Sequence, residues 1–210
     1  MHINEFNQPI GESLPGHTPG ERPVATLLSG RYCRLEKLSA ARHGADLYAV
    51  YGPDSPLQNW TYLSLTPVAG VAELDALLQR LEQSADPYYF AIVDQADGRA
   101  VGTMALQRAD TANRVIEVGW VIYSERLKRS RIATEAQFLL MQYVFETLRY
   151  RRYEWKCDAL NQASRRAAER LGFRFEGIFR QAVVYKGRNR DTAWFAMLDS
   201  EWPQIKRRMQ

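Results

Sequence analysis

A cluster of basic residues precedes an apolar segment in the second half of the chain. Lys128, Arg129 and Arg131 are followed by QFLLMQYVF, whose apolar residues have the three- and four-residue spacing of a helix. The first turn of a helix has unpaired backbone N–H groups and a partial positive charge. When such a helix follows a strand, its end can bind a pyrophosphate, and Ser130 and Thr134 add hydroxyl groups. The pattern indicates either a site for a phosphate-bearing ligand or an ordinary solvated turn.

The distribution of charge favours an anionic ligand in this half. The chain has 210 residues and a formal net charge of +4. Residues 1–120 contain 9 basic and 14 acidic residues, a balance of −5, whereas residues 121–210 contain 19 and 10, a balance of +9. The phosphates of a cofactor, nucleic acid and an acidic protein are all partners that fit a basic half.

The composition argues against several other classes of protein. Hydrophobic residues make up 46% of the chain and charged residues 25%, which is typical of globular proteins. No apolar run approaches the roughly 20 residues of a membrane-spanning helix, and the N-terminus lacks the features of a secretory signal. We therefore expect a cytoplasmic protein without a membrane partner, in which Cys33 and Cys157 are buried, reduced thiols. All three histidines precede residue 44 and lack ligand spacing, so no metal site is expected.

The elements that must position the basic cluster predict an α+β fold. Repeated Pro and Gly residues make residues 1–28 an extended N-terminal arm, and residues 29–210 form a single domain. The predicted order is β-α-α-β-β-β-α-β-α-β-β, in which the middle β-α-β unit forms a parallel crossover within an otherwise antiparallel sheet. The predicted helices are 40–51, 71–83, 132–148 and a segment between Asn161 and Gly172. The predicted strands are 31–38, 88–94, 99–108, 114–123, 153–160, 173–186 and 190–199.

Further motifs in the second half resemble the GNAT N-acetyltransferases. Asn161-Gln162-Ala163-Ser164 is followed by an LGF-x-x-EG pattern from Leu171 to Gly177. The order of elements is also similar to this family, whose turn Q/R-x-x-G-x-G/A corresponds to residues 128–133 and binds acetyl-coenzyme A. The N-x-x-S and LGF-x-x-EG patterns look like the Rim-type branch, which acetylates ribosomal-protein N-termini. The likeness covers about residues 30–200.

The resemblance implies the GNAT fold and acetyl-coenzyme A as cofactor. The fold would be a mixed, mostly antiparallel sheet of about six to seven strands with helices on both faces. The cofactor turn would be formed by Lys128, Arg129, Ser130, Arg131, Ile132, Ala133 and Thr134. Trp120, Val121 and Ile122 are expected to bulge and to offer backbone N–H groups to the thioester oxygen and the pantetheine. Asn161 is expected to hold the pantetheine arm or a water, or else to act only as a helix cap.

Acetyl transfer to an amine also implies catalytic residues. The amine must be neutral to attack, and a lysine amine has a pKa of about 10.4, so a base helps at neutral pH. Glu117, on the strand before the turn, is the first candidate for that base, and Glu176 and Asp158 compete with it. Ser164 is the candidate for the group nearest the leaving sulfur. Trp60 and Tyr62 are expected either to form a wall of the acceptor site or to pack in the core.

The chain departs from the family pattern at two positions, so alternatives stay open. Arg131 replaces the usual glycine of the turn, and Ala168 replaces the tyrosine that protonates the thiolate in many members. The first hypothesis is an enzyme that acetylates a small-molecule or peptide amine. The second is a non-catalytic domain that binds or senses acyl-coenzyme A. A nucleic-acid binder is disfavoured because no recognition helix or aromatic RNA platform is present. The acceptor is not identified, and a homodimer stays open.

Overall fold

The computed structural model describes all residues, 1–210. The strands are β1 (His2–Ile3), β2 (Pro9–Ile10), β3 (Leu27–Ser29), β4 (Cys33–Lys37), β5 (Tyr88–Asp94), β6 (Ala100–Asp110), β7 (Val115–Tyr123), β8 (Arg152–Asp158), β9 (Arg174–Tyr185) and β10 (Arg188–Leu198). The helices are α1 (Ala40–Tyr51), α2 (Val71–Gln83), α3 (Arg131–Gln142), α4 (Gln162–Leu171) and α5 (Trp202–Met209).

One mixed sheet organises the chain. Eight strands follow the order β3-β4-β5-β6-β7-β8-β10-β9, and β1 and β2 form a separate pair. Only β7 and β8 are parallel, and the chain between them contains α3. Every other pair in the sheet is antiparallel. The predicted mixed sheet with its central parallel β-α-β unit is therefore confirmed.

Apolar layers cover both faces of the sheet. On one face, 32 buried residues join the sheet to α3, α4 and α5, and on the other, 17 buried residues join it to α1 and α2. The strand β5 shows why both layers are needed, because Phe90 belongs to the first layer and its neighbour Tyr89 to the second. A strand buried on both faces has a continuous apolar sequence, as YYFAIVD does.

The structure differs from the predicted elements in several places, and one of them is the β1–β2 pair in an arm that was predicted only as extended. The sheet has eight strands, because Leu27–Ser29, at the junction of the arm and the domain, pair with Arg34–Glu36 as a short edge strand. The predicted helix 132–148 ends at Gln142 and continues as a π-helical turn over Tyr143–Thr147. The C-terminal helix α5 was not predicted. A three-residue strand and an eight-residue helix are too short for their periodicity to be recognised.

The arm lies along the domain over its second half. The backbone N–H groups of Val24 and Ala25 donate to Tyr143 Oη at 3.0 and 3.1 Å. Tyr150 Oη donates to the carbonyl of Glu21 at 2.8 Å. These bonds connect the arm to the segment that leads from α3 to β8, so this part of the arm is integrated into the domain.

Two further features bear on the classes of function. None of the helices combines the length and the apolar character that crossing a membrane requires. The structure contains no cluster of three or more His, Cys, Asp or Glu residues that could hold a metal ion.

Candidate active site

The main cleft opens where the two parallel strands part. Their pairing runs from Val115 with Arg152 to Val118 with Trp155 and then stops. A cavity of about 870 Å³ lies beyond this point, bordered by the loop after α1 and by the β9–β10 hairpin. Its lining includes Glu117, Lys156, Asp158, Asn161, Ser164 and Tyr185. The cleft thus forms because the hydrogen-bonded pairing of β7 and β8 stops before the two strands end.

A bulge in β7 shapes one wall of this cleft. Thr103 pairs with Ile122 and Ala105 with Gly119, so two residues of β7 lie opposite one residue of β6. Trp120, the first of these two, has a φ of 50°, which a bulge accommodates. The expected bulge at Trp120–Ile122 is therefore present, and all three of its residues line the cleft.

The turn before α3 presents unused backbone donors. Ser130 caps the helix, because its Oγ accepts from the N–H of Ala133 at 3.2 Å and donates to the carbonyl of Leu127 at 2.6 Å. The Ser130 hydroxyl is therefore already used. Four backbone N–H groups of the turn donate no hydrogen bond within the protein: those of Lys128, Arg129, Arg131 and Ile132. Together with the helix dipole, they form a ready site for an anion.

The basic side chains of the turn are not equivalent. Arg129 and Arg131 are exposed and form no ion pair, whereas Lys128 Nζ lies 2.8 Å from Glu125 Oε1. Arg129 has the left-handed backbone, with a φ of 56°, and Arg131 does not. The guanidinium of Arg131 lies 5.8 Å from the ring centre of Tyr32. The position that is usually glycine thus tolerates arginine, because its backbone needs no positive φ and its N–H stays free.

Glu135 holds α3 against the loop before β4. Its carboxylate accepts hydrogen bonds from the backbone N–H groups of Arg31, Tyr32 and Cys33, each at 2.7 Å. A Cβ atom on Gly30 would lie 2.5 Å from Glu135 Cδ, so glycine is needed for this close approach. The first turns of the helix that follows the basic cluster are thereby fixed to the sheet edge.

A buried charge network forms the floor of the cleft at Glu117. Glu117 and Glu154 are register partners on β7 and β8. Lys156 Nζ lies 3.1 Å from Glu117 Oε2 and 3.0 Å from Glu154 Oε2, and only 8% of the Lys156 side chain is exposed. The same Nζ lies 3.8 Å from the ring centre of Trp194, and Gln107 Nε2 donates to Glu117 Oε1 at 3.2 Å. Every charge in this network thus has a partner, as burial requires.

The competing carboxylates have other partners. Arg152 binds Glu176 through two hydrogen bonds of 2.9 and 2.6 Å, and these bonds hold the pKa of Glu176 below its usual value. Glu176 does not line the cleft. Asp158 does, but its Oδ2 accepts from Tyr185 Oη at 2.7 Å. Among the three candidates, Glu117 lies where the parallel strands part.

The comparisons with known proteins agree with this geometry. Residues 34–174, well over half of the chain, match the model of the Acetyltransferase (GNAT) domain. This chain belongs to the GNAT acetyltransferase family. The membership predicted from the sequence is therefore confirmed.

Solved structures of GNAT proteins cover nearly the whole chain. A GCN5-related N-acetyltransferase from Brucella melitensis is 52% identical, with a TM-score of 0.91 over 94% of this chain and 89% of that chain. A probable acetyltransferase of the GNAT family from Chromobacterium violaceum is 37% identical, with a TM-score of 0.85 over 93% and 98%. The curated relative "Putative ribosomal N-acetyltransferase YdaF" of Bacillus subtilis is 33% identical over 50% of this chain and 57% of its own length. That name fits the Rim-type branch.

Asn161 and Ser164 of this GNAT protein lie together at the start of α4. Asn161 Oδ1 accepts from the N–H of Ser164 at 3.1 Å, so Asn161 caps the helix and also lines the cleft. Ser164 Oγ accepts from Trp155 Nε1 at 3.0 Å. Burial raises the pKa of the Cys157 thiol, and a hydrogen bond with Ser164 opposes that shift. Ala168 is fully buried in the core and provides no proton donor.

The two aromatic residues expected at the acceptor site lie in different environments. Trp60 is only 3% exposed, packs edge-on against Tyr51 and donates from Nε1 to Ser55 Oγ at 2.8 Å. It does not line the main cleft, but it lines a smaller pocket of about 130 Å³ together with Val121 and Ile122, and its burial favours the core-packing alternative. Tyr62 is 38% exposed and lines the cleft. A loop has no periodicity that would have distinguished the two positions.

Several residues of the cleft were not identified from the sequence. Lys156 was missed, although Glu154, Lys156 and Asp158 alternate along β8 and must share one face. Tyr185 also lines the cleft, and burial, together with its hydrogen bond to Asp158, raises its pKa to about 12. Trp194 lines the cleft as well. No sequence pattern indicated this, because an aromatic residue in a strand usually packs in the core.

Proposed function

We propose that this protein transfers an acetyl group from acetyl-coenzyme A to a primary amine. The observation that carries the proposal is the buried carboxylate of Glu117, which lies at the start of the cleft between β7 and β8. The same strand, β7, leads into the turn before α3, where four backbone N–H groups are free. The names of the relatives, all acetyltransferases, support the same reaction.

The turn before α3 fits the pyrophosphate of the cofactor. Its free N–H groups and the unpaired guanidinium groups of Arg129 and Arg131 supply donors and positive charge. We place the pantetheine in the gap between β7 and β8, next to the backbone of Trp120–Ile122 and the side chain of Asn161. This arrangement brings the thioester to the bulge, close to Glu117.

The chemistry follows from these positions as one direct transfer. The neutral amine nitrogen attacks the thioester carbon, so that a C–N bond forms and the C–S bond breaks. Glu117 accepts the proton that the amine loses, directly or through a water. The leaving thiolate takes a proton that water supplies through the hydroxyl of Ser164, so that Ser164 gives one proton and regains one in the same step. Ser164 Oγ accepts a hydrogen bond from Trp155, so its hydroxyl proton can be directed either to Cys157 or to the leaving thiolate.

A non-catalytic domain that binds acyl-coenzyme A is the second candidate. Two observations favour it: Ala168 provides no acid, and Lys156 already pairs with Glu117. Both candidates require cofactor binding, but only the enzyme releases free coenzyme A when an amine is added.

Calorimetry followed by an acceptor screen tests the proposal. Acetyl-coenzyme A is titrated first, and thiol release is then measured with peptide α-amines, polyamines, amino sugars and free amino acids. We expect binding and amine-dependent thiol release. Binding without release for every amine would support the second candidate, and the absence of binding would overturn both.

A further inference from the structure

The exposed apolar side chains of this chain are concentrated in two places. Seventeen large hydrophobic residues are exposed, and ten of them form two groups. The first group is Met1, Ile3, Phe6, Ile10 and Leu14, and the second is Phe175, Ile178, Phe179, Val183 and Val184. Single exposed apolar residues are ordinary, but such groups mark interaction surfaces.

The first group lies on a small hairpin that projects from the domain. The strands β1 and β2 pair with each other, and Asn4 Oδ1 closes their turn by accepting from the N–H groups of Phe6 and Gln8 at 3.0 and 2.9 Å. No hydrogen bond or ion pair links residues 1–13 to the rest of the chain, and all of them except Asn4 are exposed. An isolated two-stranded hairpin is marginally stable in water, so this one needs a surface to pack on.

The arm is attached to the domain only after this hairpin. His17 Nε2 lies 2.7 Å from the carbonyl oxygen of Ala112, and Arg114 Nε donates to the carbonyl of Thr18 at 2.6 Å. Both contacts are at the turn between β6 and β7, near the middle of the sheet. The hairpin therefore leaves the domain at a fixed point.

The second group lies on β9, the last strand of the sheet. This strand has 12 residues, and only Gly177 and Tyr185 of them are not exposed. Its outer edge has no partner strand. A long, apolar edge strand without cover is a site at which another chain adds.

The charges of the two groups are complementary. Residues 1–16 contain two acidic residues, Glu5 and Glu12, and no Lys or Arg. Residues 174–190 contain five basic residues and one acidic residue, a balance of +4. The hairpin and the β9 edge both expose apolar residues, and their charges are of opposite sign.

We propose that the hairpin of residues 1–14 docks on β9 of a second copy of the chain. Two-fold symmetry then repeats the contact, because each copy carries one hairpin and one β9 edge. The occupant is a second copy because one chain carries both complementary surfaces and leaves both exposed. Phe179 and Val183 also line the main cleft, so the hairpin of the second copy would complete its outer wall. The proposal concerns assembly and is independent of the acetyl transfer.

Sedimentation of the full chain and of two variants tests the contact. We expect the full chain to dimerise, and removal of residues 1–14 to raise the dimer dissociation constant at least about tenfold. Ile178→Asp with Val184→Asp should do the same. Val71→Asp, at an exposed apolar position on α2, is the control and should not change it. A full chain that stays monomeric, or a truncated chain that dimerises as well as the full chain, would overturn the proposal.

A charge-reversal pair tests which surfaces meet. Glu5→Lys with Glu12→Lys should weaken self-association, and so should Arg180→Glu with Arg188→Glu. In a mixture of the two variants, one contact of the mixed dimer keeps the original charges, and the other sets the two new lysines against an edge whose balance has fallen from +4 to 0, so the mixture should associate more strongly than either variant alone. Each variant is first shown to melt like the unaltered chain. If both variants are monomeric and their mixture stays monomeric as well, the hairpin does not dock on β9.

Discussion

Lys156 places one ammonium group between two buried carboxylates on neighbouring parallel strands. Its Nζ lies 3.1 Å from Glu117 Oε2 and 3.0 Å from Glu154 Oε2. Glu117 and Glu154 are register partners, so without this ammonium two like charges would lie side by side. Lys156 is the one cation that contacts both carboxylates, while Arg152 also pairs with Glu154 at 2.8 Å and Arg108 with Glu117 at 3.5 Å.

Loss of the ammonium should destabilise the fold. We expect Lys156→Met to reduce the free energy of unfolding by about 1–3 kcal/mol, because Glu154 keeps Arg152 at 2.8 Å but Glu117 keeps only the exposed Arg108 at 3.5 Å. Adding Glu154→Gln should restore part of that stability, since only one carboxylate then remains. Urea denaturation of both variants measures the effect. A single variant within about 1 kcal/mol of the parent would show that the network is hydrated and contributes little.

Glu117→Gln tests the proposed base. We expect turnover to fall about 100-fold or more, while acetyl-coenzyme A affinity stays the same. The defect should shrink as the pH rises toward the pKa of the acceptor amine, because neutral amine is then present without a base. Glu176→Gln is the matched control and should retain turnover, since Arg152 binds that carboxylate outside the cleft. Full activity of Glu117→Gln across the pH–rate profile would move the role to Asp158.

Arg129→Glu combined with Arg131→Glu tests the cofactor turn. We expect the dissociation constant of coenzyme A to rise more than about tenfold, which is at least ~1.4 kcal/mol. Arg207→Glu with Arg208→Glu in α5 changes the net charge equally and serves as the control. Calorimetry on folded proteins decides between them. Equal losses in the two double variants would indicate a general charge effect, and no loss in the first would place the phosphates elsewhere.

Tyr143→Phe tests the attachment of the arm. The phenol oxygen accepts two backbone hydrogen bonds from the arm, so we expect its removal to cost about 1–3 kcal/mol of stability. Tyr48→Phe removes a half-buried hydroxyl that forms no hydrogen bond within the protein, so it should be nearly neutral. Thermal melting compares the two variants. An unchanged melting temperature for Tyr143→Phe would mean that water replaces these bonds without loss.

The long elements of this fold could be predicted from the sequence because they carry strong periodic patterns. Both α1 and α2 have the predicted ends, and the helix from Asn161 to Gly172 is bounded by a side-chain cap and a left-handed glycine. The short edge strand β3 could not be predicted, because its partner in the sheet, and not its own residues, determines it. The π-helical turn after α3 keeps nearly the same apolar spacing as an α-helix, so the pattern did not reveal it.

The site was predictable where one local motif defines it. The turn before α3 and the bulge at Trp120 depend on a few consecutive residues. The pairing of Lys156 with Glu117 depends on the register of two strands that are separated by a whole helix, which one sequence does not specify. Trp60 could not be assigned from the sequence either. Only its contacts in the folded protein, such as that with Tyr51, distinguish a core aromatic residue from one that lines a cleft.

The hydrogen bonds of Glu135 bear on the entropy of cofactor binding. A loop that becomes ordered only on binding loses conformational freedom, and this loss is subtracted from the affinity. Here the helix behind the turn is already anchored by three backbone N–H groups before any ligand arrives. Association with the turn should therefore carry a small ordering penalty. Glu135 would then support affinity without touching the ligand, because its carboxylate is held by the backbone of Arg31, Tyr32 and Cys33.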